Sequence, residues 1–270
     1  MARLTRLYAA LSEINKSIVR THRRDELFGQ ICRTLVKPGG FHMAWIGLID
    51  SETHQVNPVA QSGDDTDYLS HVTVYADKRP KGKGPTGTAI REGRNYICND
   101  FVHDPHTVPW HEPAARAGFR ASAAFPIRQN DIVCGALTVY SGEIGFFQDK
   151  EIALLEEAAS DVSFALDNIA REETRQHAEE KVLENEQLFR NLAEAVPQIV
   201  WMTRPDGWNI YFNQQWVDYT GMTLEESYGH GWNKPFHPDD RQRAWDAWQT
   251  ATTKLAEYSL ECRLRRADGE

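Results

Sequence analysis

The sequence predicts an α+β protein of two domains, each a central antiparallel sheet flanked by helices, joined by a long connector helix. Its 270 residues are typical of about two domains. Helix-like and strand-like stretches are mixed on both sides of residues 148–191, and that stretch contains neither Pro nor Gly. We therefore predict domains at 1–170 and 194–270, with a helical coiled-coil linker at 171–193.

The composition excludes several classes of protein. Apolar content of 41% and charged content of 26% are ordinary for a globular protein, and the net charge of −9 argues against a general nucleic-acid or membrane-surface binder. No apolar run approaches the roughly 20 residues that span a bilayer, and the N-terminus lacks the features of a secretory signal. Four scattered cysteines without a CxxC motif fit a reducing compartment, so we predict a cytoplasmic protein.

Two helices open the chain, at about 3–20 and 26–36, and the second is stopped by Pro38-Gly39-Gly40. Apolar residues of the first helix alternate three and four positions apart, which is the spacing of a coiled-coil seam. The seam residues are Leu4, Leu7, Leu11, Ile14 and Ile18. They can pack against the connector helix of the same chain or against a second copy.

Five strand-like runs follow, at 42–50, 55–61, 95–99, 121–128 and 132–140. A helix begins at Pro85 and ends before Gly93, and another begins near His111. The residues 129–131, Gln-Asn-Asp, read as the turn of a hairpin between the last two strands. This order of elements predicts an antiparallel sheet with helices packed on it.

Four stretches in this region resemble one family. GGFHMAWIGLID, GKGPTGTAIREGRNYICNDF, DPHTVPWHEPAARAGFRASAAFPI and GALTVYSGEIGFFQDKEIALLEE occur in this order within residues 4–170 and resemble the GAF domain of bacterial signalling proteins. The resemblance implies a small-molecule pocket between the sheet and the segments at about 62–84 and 100–118. The residues that could line it are Trp45, Asp100, Asp104, Trp110, Arg116, Phe119, Ser122 and Phe125. For Trp45 and Phe125, a place in the plain core is the favoured alternative.

The connector helix carries two apolar stripes in different phases. The first consists of Ile152, Leu155, Val162, Leu166 and Ile169, and the second runs from Val182 through Phe189 to Leu192. Residues 171–181 between them are almost all polar, which is typical of a solvated segment. We predict a homodimer through the N-terminal and connector helices, with bending or mobility at the polar segment.

The C-terminal part reads as strands at 198–204 and 208–213, a helix at about 241–255 and a strand at 259–265. IVWMTRPDGWNIYFNQQWVDYTGM, FHPDD and YSLECRLRRADGE resemble a PAS domain, in which two more strands follow. The expectation is a PAS domain without its last strands. The resemblance places Trp216 and Tyr219 at a ligand cavity. Six of the eight tryptophans lie in this part, as core or as an aromatic pocket.

A histidine-rich loop is the candidate for a metal site. It contains Cys98, His103, Asp104, His106, His111 and Glu112. A site needs three or four converging ligands, and the spacing here is irregular, so turns and caps are the favoured interpretation and no metal is predicted. The cysteine-histidine pair that attaches bilin, the flavin motif and the haem-binding histidine of related domains are also missing, so no known cofactor is predicted.

The sequence contains no catalytic motif, and we predict no enzymatic activity for these residues. The expected function is a sensory input module that binds a small ligand in its GAF or PAS pocket and passes the signal through helices to an output domain. A histidine kinase is the favoured output, followed by a diguanylate cyclase or phosphodiesterase. The alternatives are a constitutive dimerisation scaffold and a thiol oxidoreductase resembling the methionine sulfoxide reductases, which would use Cys98 and Cys134.

Overall fold

The structure is a computed structural model that describes residues 2–21 and 23–270. The chain divides into two compact units between Arg175 and Gln176. Helix α6, Asp149–Ala195, passes through this division. The domain boundaries predicted at 170 and 193 stay predictions. Among the residues described, no helix is both long and apolar enough to cross a membrane.

The first unit is built on a five-stranded sheet in the order β2-β1-β5-β4-β3, with every neighbouring pair antiparallel. Its strands are β1 Met43–Ile49, β2 Val56–Ser62, β3 Tyr96–Cys98, β4 Ala121–Gln129 and β5 Ile132–Ser141. The β4–β5 hairpin turns at Asn130 and Asp131, whose φ angles are 51° and 62°. Asn and Asp tolerate this left-handed conformation, which matches the twist of a two-residue hairpin. The predicted α+β class is confirmed.

Helices cover both faces of this sheet. They are α1 Ala2–Arg20, α2 Arg24–Val36, α3 Tyr68–His71, α4 Pro85–Glu92, α5 His111–Arg116 and the first part of α6. Because side chains alternate along a strand, Ala44 and Ile46 of β1 join the core under α1, α2 and α6. Met43 and Trp45 enter the core on the other face, with α3, α4 and α5.

The apolar stripes predicted as a dimer seam lie in the core of a single chain. Leu7, Leu11 and Ile14 of α1 are buried together with Leu155, Val162 and Leu166 of α6, and Leu4, Ile18, Ile152 and Ile169 pack against the same cluster. Each such side chain contributes about 1.5–3 kcal/mol when fully buried. The homodimer stays a prediction. A dimer through these two helices would have to use the faces that are not buried in this core.

The second unit contains a two-stranded antiparallel sheet and several helices. The elements are β6 Trp201–Thr203, β7 Asn209–Phe212, α7 Gln214–Thr220, α8 Leu224–Ser227 and α9 Pro238–Lys254. Helix α9 begins three residues before the predicted start, because Pro238 fits the first helical turn and the His237 ring accepts a hydrogen bond from the Asp239 N–H.

The strand predicted at 259–265 is wrong. This segment makes a single bridge, between Leu264 and Phe236. Two backbone hydrogen bonds close this bridge, from the His237 N–H to the Arg263 carbonyl and from the Arg265 N–H to the Pro235 carbonyl. The Arg263 N–H donates to the Asp240 carboxylate and not to a neighbouring strand, so the bridge does not extend into a strand pair.

Helix α6 continues without interruption through the polar segment 171–181. Every residue from Arg171 to Leu192 is exposed, whereas the part before it contributes to the core of the first unit. Ion pairs within the helix accompany this section, such as Arg175 with Glu172 and Arg190 with Glu186. The change of phase between the two apolar stripes therefore occurs without a break in the helix. The mobility predicted for the polar segment stays a prediction.

Candidate ligand-binding site

A cavity in the second unit is walled almost entirely by aromatic rings. It holds about 360 Å³ of empty space, its mouth included. The cavity proper, without the open mouth, is about 70 Å³. This is smaller than the roughly 300–1,000 Å³ of pockets for drug-sized ligands, so the site would take only a small molecule. The aromatic cavity is lined by Trp201, Asn209, Phe212, Trp216, Trp232, Phe236, Trp248 and Tyr258.

Hydrogen bonds fix two of these walls. The Trp216 indole N–H donates to Ser227 Oγ at 2.8 Å, and the Trp248 indole N–H donates to the Gly207 carbonyl at 3.2 Å. Gly207 has a φ of 86°, and a Cβ there would lie 3.0 Å from Trp248 Nε1. A glycine at this turn therefore allows both the backbone conformation and the close approach of α9.

Two buried polar atoms of the lining have no hydrogen-bond partner. They are Asn209 Oδ1 and Trp232 Nε1, in residues that are 2% and 7% exposed. The Asn209 amide is oriented by Nδ2, which donates to the Gly229 carbonyl at 3.3 Å, so that Oδ1 is left over. Leaving a buried polar group unpaired costs about 1–3 kcal/mol, and such groups in native proteins call for a specific explanation. Both atoms belong to residues that line the cavity, and neither has a partner within the protein.

Of the two PAS residues predicted for the pocket, the structure places only Trp216 in the lining. Its ring stacks on Phe212 at 4.7 Å. Tyr219 is 41% exposed and lies in an open depression with Pro197 and Ile199. The sequence did not single out the other residues of the cavity. The signal that could have indicated an aromatic site was the concentration of six tryptophans between positions 201 and 248.

The structure does not gather the eight predicted GAF-pocket residues into one site. Trp45, Trp110 and Phe119 are buried in one cluster, but Phe125 belongs to the core on the opposite face of the sheet. This removes Phe125 from the predicted pocket and agrees with the alternative favoured for it, a place in the plain core. Ser122 and Phe125 are three positions apart on β4, and side chains at odd spacing point to opposite faces. Phe125 is therefore a core residue under the helices.

Around Trp45, the neighbouring rings are packed against one another. Phe119 and Tyr140 stack at 4.5 Å, and Tyr68 meets both edge-on at 5.1 and 5.5 Å. We call Tyr68, Phe101, Phe119 and Tyr140 the packed aromatic cluster. Burial raises the pKa of Tyr140 to about 12. Nearby, Trp45 Nε1 and Ser122 Oγ are buried without a hydrogen-bond partner, so this region also retains unused polar atoms.

Trp110, at the edge of this region, is only 4% exposed. Its ring packs directly over Gly84, where the Cβ of any other residue would collide with it. Its indole N–H points to the Thr73 carbonyl at 3.4 Å. Trp110 is thus a packed residue rather than an exposed loop residue.

The charged residues of the predicted pocket are bound locally. Asp100 pairs with His103 at 2.9 Å, Asp104 accepts from the backbone N–H of His106 at 2.8 Å, and the exposed Arg116 pairs with Glu112. These contacts stabilise turns and one helix. In the part of the chain that the structure describes, no three His, Cys, Asp or Glu side chains are placed to hold a metal ion.

The cysteines considered as nucleophiles are protected. Cys98 is 2% exposed, and burial, followed by the charge of Asp104, raises its pKa to about 12. Burial also raises the pKa of the Cys134 thiol. The thiolate is the reactive form, so both residues are poor nucleophiles in the folded state.

Family models match both units. A GAF domain model matches residues 21–167, which is more than half of the chain, and the protein therefore belongs to the GAF domain family. A PAS fold model matches residues 209–270. The predicted succession of a GAF domain and a PAS domain is confirmed.

Curated relatives are similar over parts of the chain. An uncharacterized protein y4lL of Sinorhizobium fredii is 34% identical over 90 residues, which cover 33% of this chain and 11% of that protein. The peroxide stress-activated histidine kinase mak1 of Schizosaccharomyces pombe is 42% identical over 59 residues, which cover 22% of this chain and 4% of that protein. The methyl sulfide methyltransferase-associated sensor of Methanosarcina acetivorans is 26% identical over 142 residues, which cover 52% of this chain and 14% of that protein. The chain thus spans at most 14% of the length of these relatives.

Solved structures confirm the fold of the first unit. A free methionine-R-sulfoxide reductase from Neisseria meningitidis has a TM-score of 0.52 at 16% identity, with 62% of this chain and 90% of that chain covered. The GAF domain of a phosphoenolpyruvate-protein phosphotransferase from Coxiella burnetii has a TM-score of 0.52 at 12% identity, with 63% and 98% covered. At these identities, the likeness concerns the fold alone.

Proposed function

We propose that the chain is a cytosolic sensory input region of a signal-transduction protein, which binds a small molecule and passes the event to an output domain through its helices. Two of the curated relatives, a histidine kinase and a sensor, support this class. A histidine kinase is the favoured output, and an enzyme that makes or degrades cyclic diguanylate is the next. The thiol oxidoreductase alternative is disfavoured by the high pKa of Cys98.

The aromatic cavity of the PAS domain carries this proposal. It combines empty space with two buried polar atoms that have no partner, Asn209 Oδ1 and Trp232 Nε1. Neither atom has a partner in the protein, so a ligand or a buried water has to offset the cost of burying it. The GAF region is the second candidate, because Ser122 Oγ and Trp45 Nε1 are also unpaired.

Two matched variants separate the candidate pockets. Asn209→Leu removes the unpaired oxygen of the PAS cavity, and Ser122→Ala removes the one in the GAF region. Native mass spectrometry of the purified chain and a thermal-shift screen against small metabolites should find a ligand whose binding only one of the variants abolishes. If no compound is retained and none raises the melting temperature, the scaffold alternative replaces the sensor.

The exposed section of α6 supports a homodimer as the carrier of the signal. Val182, Leu183 and Leu192 are 67%, 57% and 59% exposed there. Val182, Phe189 and Leu192 lie on the second predicted seam, and a second copy in parallel would bury it as a coiled coil. Phe189 also meets Tyr211 of its own chain at 5.5 Å.

Light scattering at micromolar concentration tests the dimer. The unmodified chain should be a dimer, and Val182→Glu and Leu192→Glu should shift it to the monomer. Ile132→Glu is the matched control, because Ile132 is an exposed apolar residue of the β4–β5 hairpin, at 72%. A monomeric unmodified chain would remove the dimer from the proposal.

A further inference from the structure

The rings of the aromatic cavity meet at right angles. Trp201 and Trp248 lie 5.2 Å apart at 74°, Trp248 and Tyr258 lie 5.2 Å apart at 83°, and Trp201 and Tyr258 lie 6.2 Å apart at 84°. Three mutually perpendicular rings form the corner of a box. All three rings line the cavity, so a ligand there would contact more than one of them.

A flat heterocycle would need a different arrangement. To stack between two rings it requires parallel walls about 7 Å apart, twice a contact distance of about 3.5 Å. The near-parallel pairs are closer: Phe212 and Trp216 of the lining lie 4.7 Å apart, and Trp232 of the lining lies 6.4 Å from Trp245, which is outside the lining. Both pairs are occupied by their own stacking, so the geometry favours a compact ligand over a planar one.

The charge of the lining favours a cation. The residues that the structure places around the cavity include no charged side chain. A buried anion would therefore lack a counterion, which is costly, whereas the faces of aromatic rings attract cations. Aromatic rings arranged on several sides are a known solution for binding alkylated ammonium groups.

The two unpaired polar atoms add a further requirement. Asn209 Oδ1 is an acceptor, and Trp232 Nε1 is a donor. A hydroxyl group satisfies both types, because it donates one hydrogen bond and accepts another. A ligand with an ammonium head and a hydroxyl would use the rings and the polar atoms together.

We propose that the aromatic cavity binds a small alkylated ammonium compound that carries a hydroxyl, a compound of the choline type. This inference rests on the proposed sensory function, since it names the class of ligand for the same cavity. The perpendicular rings hold the cationic head, and Asn209 and Trp232 hold the hydroxyl. The aromatic cavity should therefore bind a cation more tightly than a neutral compound of the same shape.

Calorimetry with the full chain tests the ligand class, with choline chloride as the probe. The comparison compound is 3,3-dimethyl-1-butanol, in which carbon replaces the charged nitrogen, and sodium chloride is the control for ionic strength. Choline should bind at least about tenfold more tightly than its neutral analogue. Equal binding of the two would overturn the cation assignment while leaving a small-molecule sensor in place.

Two tryptophans of similar exposure provide matched variants. Trp201 lines the cavity and is 42% exposed, and Trp208 lies outside the lining and is 44% exposed. Trp201→Leu should weaken choline binding about tenfold, and Trp208→Leu should leave it unchanged. Equal losses in both variants, with circular dichroism showing both folded, would overturn the assignment of the binding site.

Trp232→Phe tests the hydroxyl, because it removes the indole N–H and keeps an aromatic ring. It should weaken choline binding several-fold and leave tetramethylammonium binding unchanged, since tetramethylammonium has no hydroxyl. Binding of indole but not of choline would refute the proposed class and preserve the sensor. Absence of binding by choline and by every compound of the metabolite screen would refute both proposals.

Discussion

The two aromatic groups of this protein contain similar residues in different arrangements. In the GAF domain, the rings of the packed aromatic cluster contact one another, with Phe119 stacked on Tyr140 at 4.5 Å. In the PAS domain, Trp201, Trp248 and Tyr258 stand at right angles and line a cavity of about 70 Å³. Aromatic content alone therefore does not define a binding site. Edge-on ring pairs and unpaired buried polar atoms occur in both regions, and the cavity beside the rings is what distinguishes the PAS domain.

The largest expected effect is a loss of stability in the packed aromatic cluster. Phe119→Ala should lower the free energy of unfolding by about 3–5 kcal/mol, because Phe119 is 2% exposed and its removal leaves a cavity. Denaturant unfolding followed by circular dichroism measures this loss. Trp208→Leu, at a half-exposed ring, is the control and should change stability by less than about 1 kcal/mol. A similar small loss for Phe119→Ala would mean that the cluster is not tightly packed.

A pH-dependent contact of the PAS domain comes next. Hydrogen bonds from Arg263 hold the pKa of Asp240 well below its usual range. The folded pKa is depressed, so the contribution to stability is present above the unfolded value of about 3.9 and is lost as the pH falls below it. Asp240→Asn should therefore destabilise the protein at pH 7, and the difference from the unmodified chain should shrink below about pH 4.

Thermal unfolding between pH 7 and pH 3 checks this dependence. Arg243→Gln offers a milder comparison, because Arg243 donates to the same carboxylate at 3.2 Å but ranks behind Arg263 as a cause of the low pKa. A constant difference between Asp240→Asn and the unmodified chain across this range would contradict the assignment.

A smaller effect is expected at the cavity. Asn209→Leu replaces the unpaired Oδ1 with an apolar group of similar size, so its free energy of unfolding should stay within about 1 kcal/mol of the unmodified chain. Its ligand binding should nevertheless be lost. A variant that lost several kcal/mol would show that Asn209 is chiefly structural, and denaturant titration distinguishes the two results.

The smallest effect concerns the thiol of Cys98. With its pKa raised to about 12, it should hold about a thousandfold less thiolate at pH 8 than an ordinary thiol of pKa about 8.5. Alkylation by iodoacetamide, followed by mass spectrometry, should leave Cys98 unmodified in the folded chain and modify it after denaturation. Rapid labelling of the folded chain would revive the oxidoreductase alternative.

Local sequence signals predicted most of the fold. Pro85 and Gly93 bounded α4 correctly, and the residues Asn130 and Asp131 marked the β4–β5 turn. The predicted strand at 259–265 failed because alternation describes a strand only when a partner strand is present, and here the Arg263–Asp240 contact takes that place.

The candidate site was less predictable. Trp216 was found through the family resemblance, but Asn209 was not, since nothing local marks an amide whose nitrogen bonds to Gly229, twenty residues away. Phe125 was misplaced because its face of β4 depends on the register of the strand. Such facts depend on contacts between distant residues, which spacing along the chain does not encode.

The exposed section of α6 shows how a helix sets direction through the number of its residues. A helix turns by about 100° per residue, so Val182 and Phe189, seven residues apart, point within about 20° of one another. Deleting one residue between them would place the two side chains about 120° apart, so the stripe would be lost although every apolar residue was kept. The continuity of this stripe thus depends on the number of residues between its members as much as on their identity.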